Sequence, residues 1–446
     1  MDTKITVIGL GYVGIPCAAL LADVDGFQVT GLQRRSKRSG WKIEYLNAGK
    51  SPFAGNEPGL DELIARVVKK GTFKATDDVQ VLSDSDVILI DVQTPTDENH
   101  VPQYHSLKEV SEEIGKRIKK DTLVVVESTV APGTTHNIVQ KLIEEHSGMK
   151  AGEDFDLAFA YERVMPGKLI YNIVNLPRIV GGITPKSADR AVGIYSKIVK
   201  AKIHKTNVIT AELSKTIENA YRDVNIAFAN EMALVCESLG VNVFDVIELV
   251  NELPSRMMHI PGAGVGGHCL PKDTWLLRYG LNEYGTQKME PRFIALARDI
   301  NNHMPVHMAI LVEDALKQRE VNIKGATVTI LGIAYLEDSD DTRNTPAAAL
   351  VSTLEKMGAN VILHDPFVRE WDFGLHTIER DIRKAAKNSD CLALVTKHKQ
   401  YFTLDFDDLR TIMRTPTFID GRNVYNAETI KSKGFEYRGI GKVGVL

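Results

Sequence analysis

The chain reads as an α/β protein in which two doubly wound domains flank an all-helical middle, and three features of its 446 residues predict this. Short β-rich runs alternate with helically spaced segments through residue 205, the pattern that builds a parallel sheet. Residues 210–239 then pass without a Gly or Pro, with apolar positions three and four apart, as in one long helix. From residue 326 the β/α alternation resumes in nearly the wording of the opening segment.

Taken in order, residues 4–8 form a β-rich run, 9–14 a glycine turn, and 15–22 an apolar, alanine-rich helix start. Further strands are expected at 28–32, 87–92, 123–127, 157–161 and 178–180. The long helix should stop at Gly240, and a second helical stretch at 293–317 is broken only by Pro305. Strands return at 326–333, 360–364 and 391–395. Ile5-Thr-Val-Ile-Gly9 parallels Val328-Thr-Ile-Leu-Gly332, and Ser85-Asp-Val-Ile-Leu parallels Ser389-Asp-Cys-Leu-Ala, so the third region repeats the first. The expected domains are 1–205, 206–320 and 321–446.

With 54 Lys+Arg against 58 Asp+Glu, a net charge of −4 and 43% hydrophobic residues, disorder and a small-scaffold fold are excluded. No basic block offers a footprint for nucleic acid or an anionic membrane. Cys17, Cys236, Cys269 and Cys391 lie far apart with no C-x-x-C pair, which argues against a disulfide framework and against a zinc site. Residues 5–22 carry no charge, but three glycines and a proline interrupt them, which suits a strand and helix better than a signal or a membrane span. A soluble cytoplasmic protein is expected.

Gly9-Leu-Gly11-Tyr-Val-Gly14 fits G-x-G-x-x-G directly after a strand and before a helix, the context of a Rossmann-like dinucleotide loop. Gly9 permits the turn, Gly11 admits a pyrophosphate to the backbone, Gly14 lets helix and strand pack, and the helix N-terminus supplies N–H groups to the phosphates. The tip of the second strand, where a carboxylate ordinarily takes the ribose hydroxyls, is the neutral Gln33. Arg34, Arg35, Lys37 and Arg38 follow and suit a 2′-phosphate, so NAD is the expected cofactor with NADP open as the alternative.

Pro261-Gly-Ala-Gly-Val-Gly-Gly-His-Cys-Leu-Pro-Lys-Asp273 frames one thiol with glycines, so backbone N–H groups and a substrate can approach the sulfur. Cys269 is the candidate nucleophile, and a helix from residue 270 would bring the carboxylate of Asp273 back to its face. The other three cysteines sit in apolar patterns that suit core packing.

Together with Gln93-Thr-Pro-Thr96, Glu127-Ser-Thr-Val-Ala-Pro-Gly133, Glu162-Arg-Val-Met-Pro-Gly167 and Asp341-Thr-Arg343, the glycine loop and the cysteine run resemble, nearly end to end, the nucleotide-sugar (UDP-glucose/GDP-mannose) 6-dehydrogenases. The stretch 219–231 and His268 resemble the branch acting on UDP-N-acetyl-mannosamine and related N-acetylhexosamines. The resemblance implies two successive oxidations at C6 to a uronate through a cysteine thiohemiacetal and thioester, for polysaccharide synthesis. UDP-glucose as substrate, or a catalytically silent nucleotide-sugar or dinucleotide binding protein, are the alternatives. It implies Cys269 as nucleophile, Lys215 and Asn219 as donors to the oxyanion, Asp273 and Glu162 as water-activating groups, and Thr129 as an assisting hydroxyl. Tyr12, Val13, Thr94, Pro95, Thr129 and Arg343 join Gly9, Gly11, Gly14, Gln33 and Arg34 at the cofactor. Glu162, Arg163, Lys168, Lys215, Asn219, Arg222, Arg256, His259, Gly266, His268 and Arg422 are implied at the UDP-sugar, with a homodimer formed through the central helices. Three positions depart from the family pattern: Gln33, Tyr161 in place of a proline, and Leu336 in place of a lysine.

Overall fold

The computed structural model describes residues 2–442 apart from 37, 38, 54, 56 and 288, so Lys37 and Arg38 of the basic loop lie outside the described residues. The chain forms two compact units, one of residues 1–218 and 275–290, the other of residues 219–274 and 291–446.

The first unit is built on an eight-stranded sheet of order β3-β2-β1-β4-β5-β6-β7-β8. Its strands are β1 (Thr3–Ile8), β2 (Phe27–Leu32), β3 (Phe73–Thr76), β4 (Val87–Ile90), β5 (Leu123–Val126), β6 (Asp156–Phe159), β7 (Arg178–Gly182) and β8 (Ile203–Asn207). Every residue of β4 and β5 is buried, as expected of central strands covered on both faces. The expectation of a wholly parallel sheet is corrected at one place. β6 and β7 pair antiparallel, because the connection between them, with its short helix Leu169–Asn175, delivers β7 in the reverse direction. Two strands of this sheet escaped the sequence reading, β3 and β8. Both are edge strands with exposed or half-exposed polar residues, so neither carries a continuous apolar run.

The second unit holds a six-stranded parallel sheet of order β11-β10-β9-β12-β13-β14. Its strands are β9 (Thr327–Leu331), β10 (Asn360–His364), β11 (Ile378–Glu379), β12 (Cys391–Leu394), β13 (Thr417–Asp420) and β14 (Glu436–Gly439). The central helices are Val208–Leu239, Val243–Asn251, Leu270–Tyr284 and Arg292–Gln318. The first of these ends where Gly240 adopts φ +73°, a left-handed conformation that glycine enters without a Cβ penalty. The helix Arg292–Gln318 runs unbroken through Pro305, contrary to the expected interruption. A proline inside a helix forfeits one hydrogen bond. Here its ring is buried against the cysteine run, where a Cβ on Gly264 would lie 3.1 Å from Pro305 Cγ, and that packing offsets the loss.

The internal repeat is written in the same hydrogen bonds. Thr6 Oγ1 meets Ser85 Oγ at 2.7 Å, and Ser85 donates to the Val81 carbonyl. Thr329 Oγ1 meets Ser389 Oγ at 2.6 Å, and Ser389 donates to the Ala385 carbonyl. Lys4 N donates to Asp86 and Thr327 N to Asp390, each at 2.8 Å. In each sheet one serine and one aspartate therefore tie the start of the fourth-written strand region to the first strand. Thr329→Val keeps the shape and removes a fully buried hydroxyl that also donates to Ala385. It is expected to lower stability by about 1–2 kcal/mol in urea unfolding, with no change in the denaturant slope.

Candidate active site

In the first unit the dinucleotide loop follows β1 and opens the helix Gly14–Ala22. Gly9 has φ +101°, and a Cβ there would lie 2.4 Å from the Asp91 carbonyl oxygen. A Cβ on Gly14 would lie 2.1 Å from the Gly9 carbonyl oxygen, whereas one on Gly11 would meet nothing within 4 Å. The loop thus has space over its middle glycine at the N-terminus of a helix, the setting a pyrophosphate requires. Tyr12 stacks on Phe53 at 4.4 Å, and Val13 caps the helix without a side-chain hydrogen bond. Gln33 does stand at the tip of β2, but its Oε1 accepts from Leu10 N at 2.9 Å and its Nε2 donates to Ser39 Oγ. Lys42, absent from the sequence reading, donates from Nζ to the Leu10 carbonyl at 3.0 Å. Both ends of that residue are held by side chains.

Beneath the loop lies a buried charged cluster. Arg178 bonds Glu127 and the Ala160 carbonyl, and Tyr195 Oη donates to Glu127 Oε1 at 2.9 Å. Burial, followed by the charge of Glu127, pushes the Asp91 carboxyl well above the usual carboxylate range. Burial likewise keeps Cys17 a neutral thiol.

The turn after β5 carries Thr129, whose carbonyl accepts from Thr94 Oγ1 at 2.6 Å; Pro95 O accepts from Gln103 N. Ser128 Oγ donates to Val92 O and Ala131 N to Tyr104 Oη. Glu212, from the helix Val208–Leu239, receives Gly133 N at 2.6 Å and Thr135 N at 2.8 Å on its two oxygens. Three residues further along that helix, buried Lys215 donates from Nζ to the Glu162 carbonyl at 2.9 Å and lies 5.3 Å from the Tyr161 ring centroid. Tyr161 is itself buried, its hydroxyl on Glu218 at 3.1 Å, so the departure from proline supplies a platform under Lys215. Glu162 does not form an ion pair with its neighbour Arg163. Arg163 is engaged by Glu218, with Nε at 2.7 Å, and by the Pro177 carbonyl, while the Glu162 carboxylate accepts from Val164 N. That engagement holds the Arg163 guanidinium against Glu218 within the fold. Lys168 is exposed at the start of the helix Leu169–Asn175.

In the second unit Cys269 is exposed immediately before the helix Leu270–Tyr284, and its carbonyl accepts Lys272 N at 3.0 Å and Asp273 N at 2.8 Å. Asp273 is fully buried. Its Oδ2 accepts from Asn219 Nδ2 at 2.6 Å, and its Oδ1 pairs with the buried Lys272 Nζ at 2.8 Å. Lys272 was quoted in the motif but given no part. The glycine run packs on the Asp341-Thr-Arg343 turn: Gly267 N donates to Arg343 O at 2.9 Å, and a Cβ on Gly266 would meet Asn344 O at 2.7 Å. Arg343 itself is bidentate on Asp341. His268 is pushed down to about 4, first by burial and then by Lys272 and Arg343, so it is neutral at pH 7. Arg422 donates to Val395 O at 2.6 Å and reaches Gly264 O. Arg222 is exposed and depresses the half-buried His259, after burial; Arg256 is exposed with Ser255 as partner. Asp223 and Asn230 of the stretch 219–231 are buried and bind Arg298, Asn301 and Gly262 N, so they brace the helices. Leu336 is half-buried, its carbonyl taken by Ser339 Oγ.

A dinucleotide loop on one doubly wound sheet, followed by a helical middle and a second such sheet, defines an NAD-dependent dehydrogenase of the two-sheet type. Family models for the UDP-glucose/GDP-mannose dehydrogenases match in order: the NAD binding domain at residues 3–199, the central domain at 209–303 and the UDP binding domain at 329–427. The chain belongs to the UDP-glucose/GDP-mannose dehydrogenase family. It is 37% identical to the UDP-N-acetyl-D-mannosamine dehydrogenase of Pyrococcus horikoshii over 98% of this chain and 99% of that one. It is 35% identical to the enzyme of the same name from Campylobacter jejuni, over 91% and 97%. The crystal structure of NDP-N-acetyl-D-galactosaminuronic acid dehydrogenase from Methanosarcina mazei superposes with a TM-score of 0.89 at 42% identity, over 99% and 95% of the two chains.

Burial pushes Glu212 up to about 7 from 4.5, against the two N–H groups it accepts; Tyr104 and Tyr284 are the ionisable groups that face it. A carboxyl whose pKa is raised by folding stabilises fully below the unfolded value and loses that contribution as pH rises through the folded one. Relative to Glu212→Gln, the wild-type protein is therefore expected to lose about 3 kcal/mol of stability between pH 4.5 and pH 8 in urea unfolding. A difference that does not vary with pH would refute this titration.

Proposed function

We propose that this enzyme oxidises C6 of a UDP-N-acetylhexosamine to the uronate, consuming two NAD per sugar, with Cys269 as the covalent nucleophile. The observation that carries the reading is the exposed thiol at a helix N-terminus, one turn before a buried carboxylate held by Asn219 and Lys272. Relatives named for UDP-N-acetyl-D-mannosamine and for N-acetyl-D-galactosaminuronic acid support the sugar class.

Hydride acceptance is the chemistry that NAD supplies. The chain's own residues handle protons and the carbonyl. Lys215 and Asn219 donate to the oxygen that develops charge as the C6 alcohol is oxidised, and again to the tetrahedral oxyanions that follow. The sulfur of Cys269 adds to the aldehyde carbon, giving a thiohemiacetal; the helix N-terminus and Lys272 favour a thiolate there. Loss of a second hydride gives the thioester. Glu162 and Asp273 activate the water that attacks it, returning the thiol and releasing the carboxylate. Thr129 and Arg343 are proposed at the coenzyme, while Lys168, Arg222, Arg422, Gly266 and His268 bind the nucleotide sugar. Arg256 and His259 are proposed to reach the site of a second copy.

A homodimer is proposed through the helix Val208–Leu239. Ile209, Leu213, Ile217, Tyr221, Phe228 and Val235 form an exposed stripe at helical spacing along it. No helix among the described residues is long and apolar enough to cross a membrane, which suits the proposed cytoplasmic supply of uronates for polysaccharide synthesis.

Cys269→Ser is expected to abolish steady-state NADH production while retaining NAD binding by calorimetry; full turnover in that variant would remove the covalent route. Lys215→Ala is expected to lower kcat about 10²–10³-fold with a smaller change in the sugar KM. Complete conversion should yield two NADH per sugar by absorbance.

A further inference from the structure

The coenzyme half poses a problem that its NAD assignment leaves open. A fold that selects NAD ordinarily uses a strand-tip carboxylate to bind the ribose hydroxyls and repel a 2′-phosphate. Here that position is Gln33, and both ends of its amide are engaged, Oε1 by Leu10 N and Nε2 by Ser39. Two arginines follow it, the residues that would welcome a 2′-phosphate.

Each arginine is met by acid from elsewhere in the unit. Arg34 pairs with Glu109 at 3.1 Å, and the other oxygen of Glu109 holds His105 at 3.2 Å. Arg35 donates to Asp77 at 2.8 Å and to Glu44 at 2.9 Å. Between them opens a cavity of about 510 Å³. Its apolar wall includes Ile8 and Leu32, the last residues of β1 and β2, and Val110. Among the described residues its rim sets Arg34 and Arg35 against Asp77, Glu109, Glu112 and Glu113, of which Glu113 is paired with Lys116 and Arg117, so three further carboxylates face two guanidinium groups. An apolar slot at the carboxyl ends of the first two strands is where a dinucleotide's adenosine lies in such sheets.

We infer that Glu109 and Asp77 replace the missing strand-tip carboxylate and make this enzyme select NAD over NADP. The inference rests on the adenosine of the coenzyme occupying this cavity. Exposed ion pairs contribute little individually, so the discrimination comes from the sign of the rim. A 2′-phosphate entering it finds both guanidinium groups already compensated and faces an excess of carboxylate. Because the repulsion acts through solvent-exposed charges, added salt should narrow the preference.

The test compares kcat/KM for NAD and NADP in the full-length enzyme, together with calorimetric binding of each dinucleotide. The wild-type enzyme should prefer NAD. Glu109→Gln and Asp77→Asn should each move the ratio toward NADP by about tenfold, the scale of one unit charge near a surface. Arg34→Ala added to Glu109→Gln should take that gain away, since Arg34 is the cation that Glu109 covers. A wild type that uses both dinucleotides equally, or carboxamide variants that leave the ratio within about twofold, overturns the inference. Val110→Trp separates the two levels of the argument. If it leaves NAD binding intact, the cavity is not the adenosine site and the inference falls with it. If it blocks NAD while the carboxamide variants change nothing, only the role of Glu109 and Asp77 falls.

Discussion

In each sheet the loop after the first strand hangs on the side chain at the tip of the second. Leu10 N donates to Gln33 in the first unit, and Ile333 N and Ala334 N donate to Asp365 Oδ2 in the second. A backbone N–H at the end of a parallel strand has no neighbour to pair with unless a side chain supplies one. This constraint sets the shape of both ligand-facing loops. In the first unit Lys42 completes the hold from the other side, and the space over Gly11 stays open. In the second, Asp365 also receives Phe367 N, Val368 N and His398 Nε2. Its acceptor capacity is filled, and the segment after Gly332 lacks the second and third glycines of the dinucleotide pattern. One topology thus yields a coenzyme loop once and a different kind of loop the second time.

The interior of the first unit shows how charge is managed under such a loop. Asp91, Glu127 and Arg178 bring two carboxyl groups to one guanidinium, and burial with the charge of Glu127 pushes the Asp91 carboxyl upward. One uncompensated negative charge below the pyrophosphate position would work against an anionic coenzyme. Glu212 meets a related problem differently, by spending both oxygens on backbone N–H groups of the turn that carries Thr129.

Much of this was legible in the amino-acid order. The long helix could be read because thirty residues pass without Gly or Pro, and the repeat because its Thr, Ser and Asp recur at matching places and make matching bonds. The placement of Cys269 just before a helix was legible because glycine clusters and a helix start leave a local signature. What escaped depends on distant partners. Lys42 and Glu212 look like ordinary charged residues on helices until burial and their backbone partners are known. Gln33 was correctly placed at its strand tip, yet its occupation by Leu10 N and the pairing of Arg34 and Arg35 are tertiary facts that no spacing encodes. The direction of β7 and the polar edge strands were lost for the same reason: direction and edge position are set by pairing and not by composition.

The distribution of the four cysteines has a practical side. Cys17, Cys236 and Cys391 are sealed in packed interiors, and Cys269 alone is exposed. To a maleimide or an iodoacetamide, the folded protein therefore presents a single exposed thiol. A thiol-directed reporter or crosslinker attached under native conditions would mark one known position.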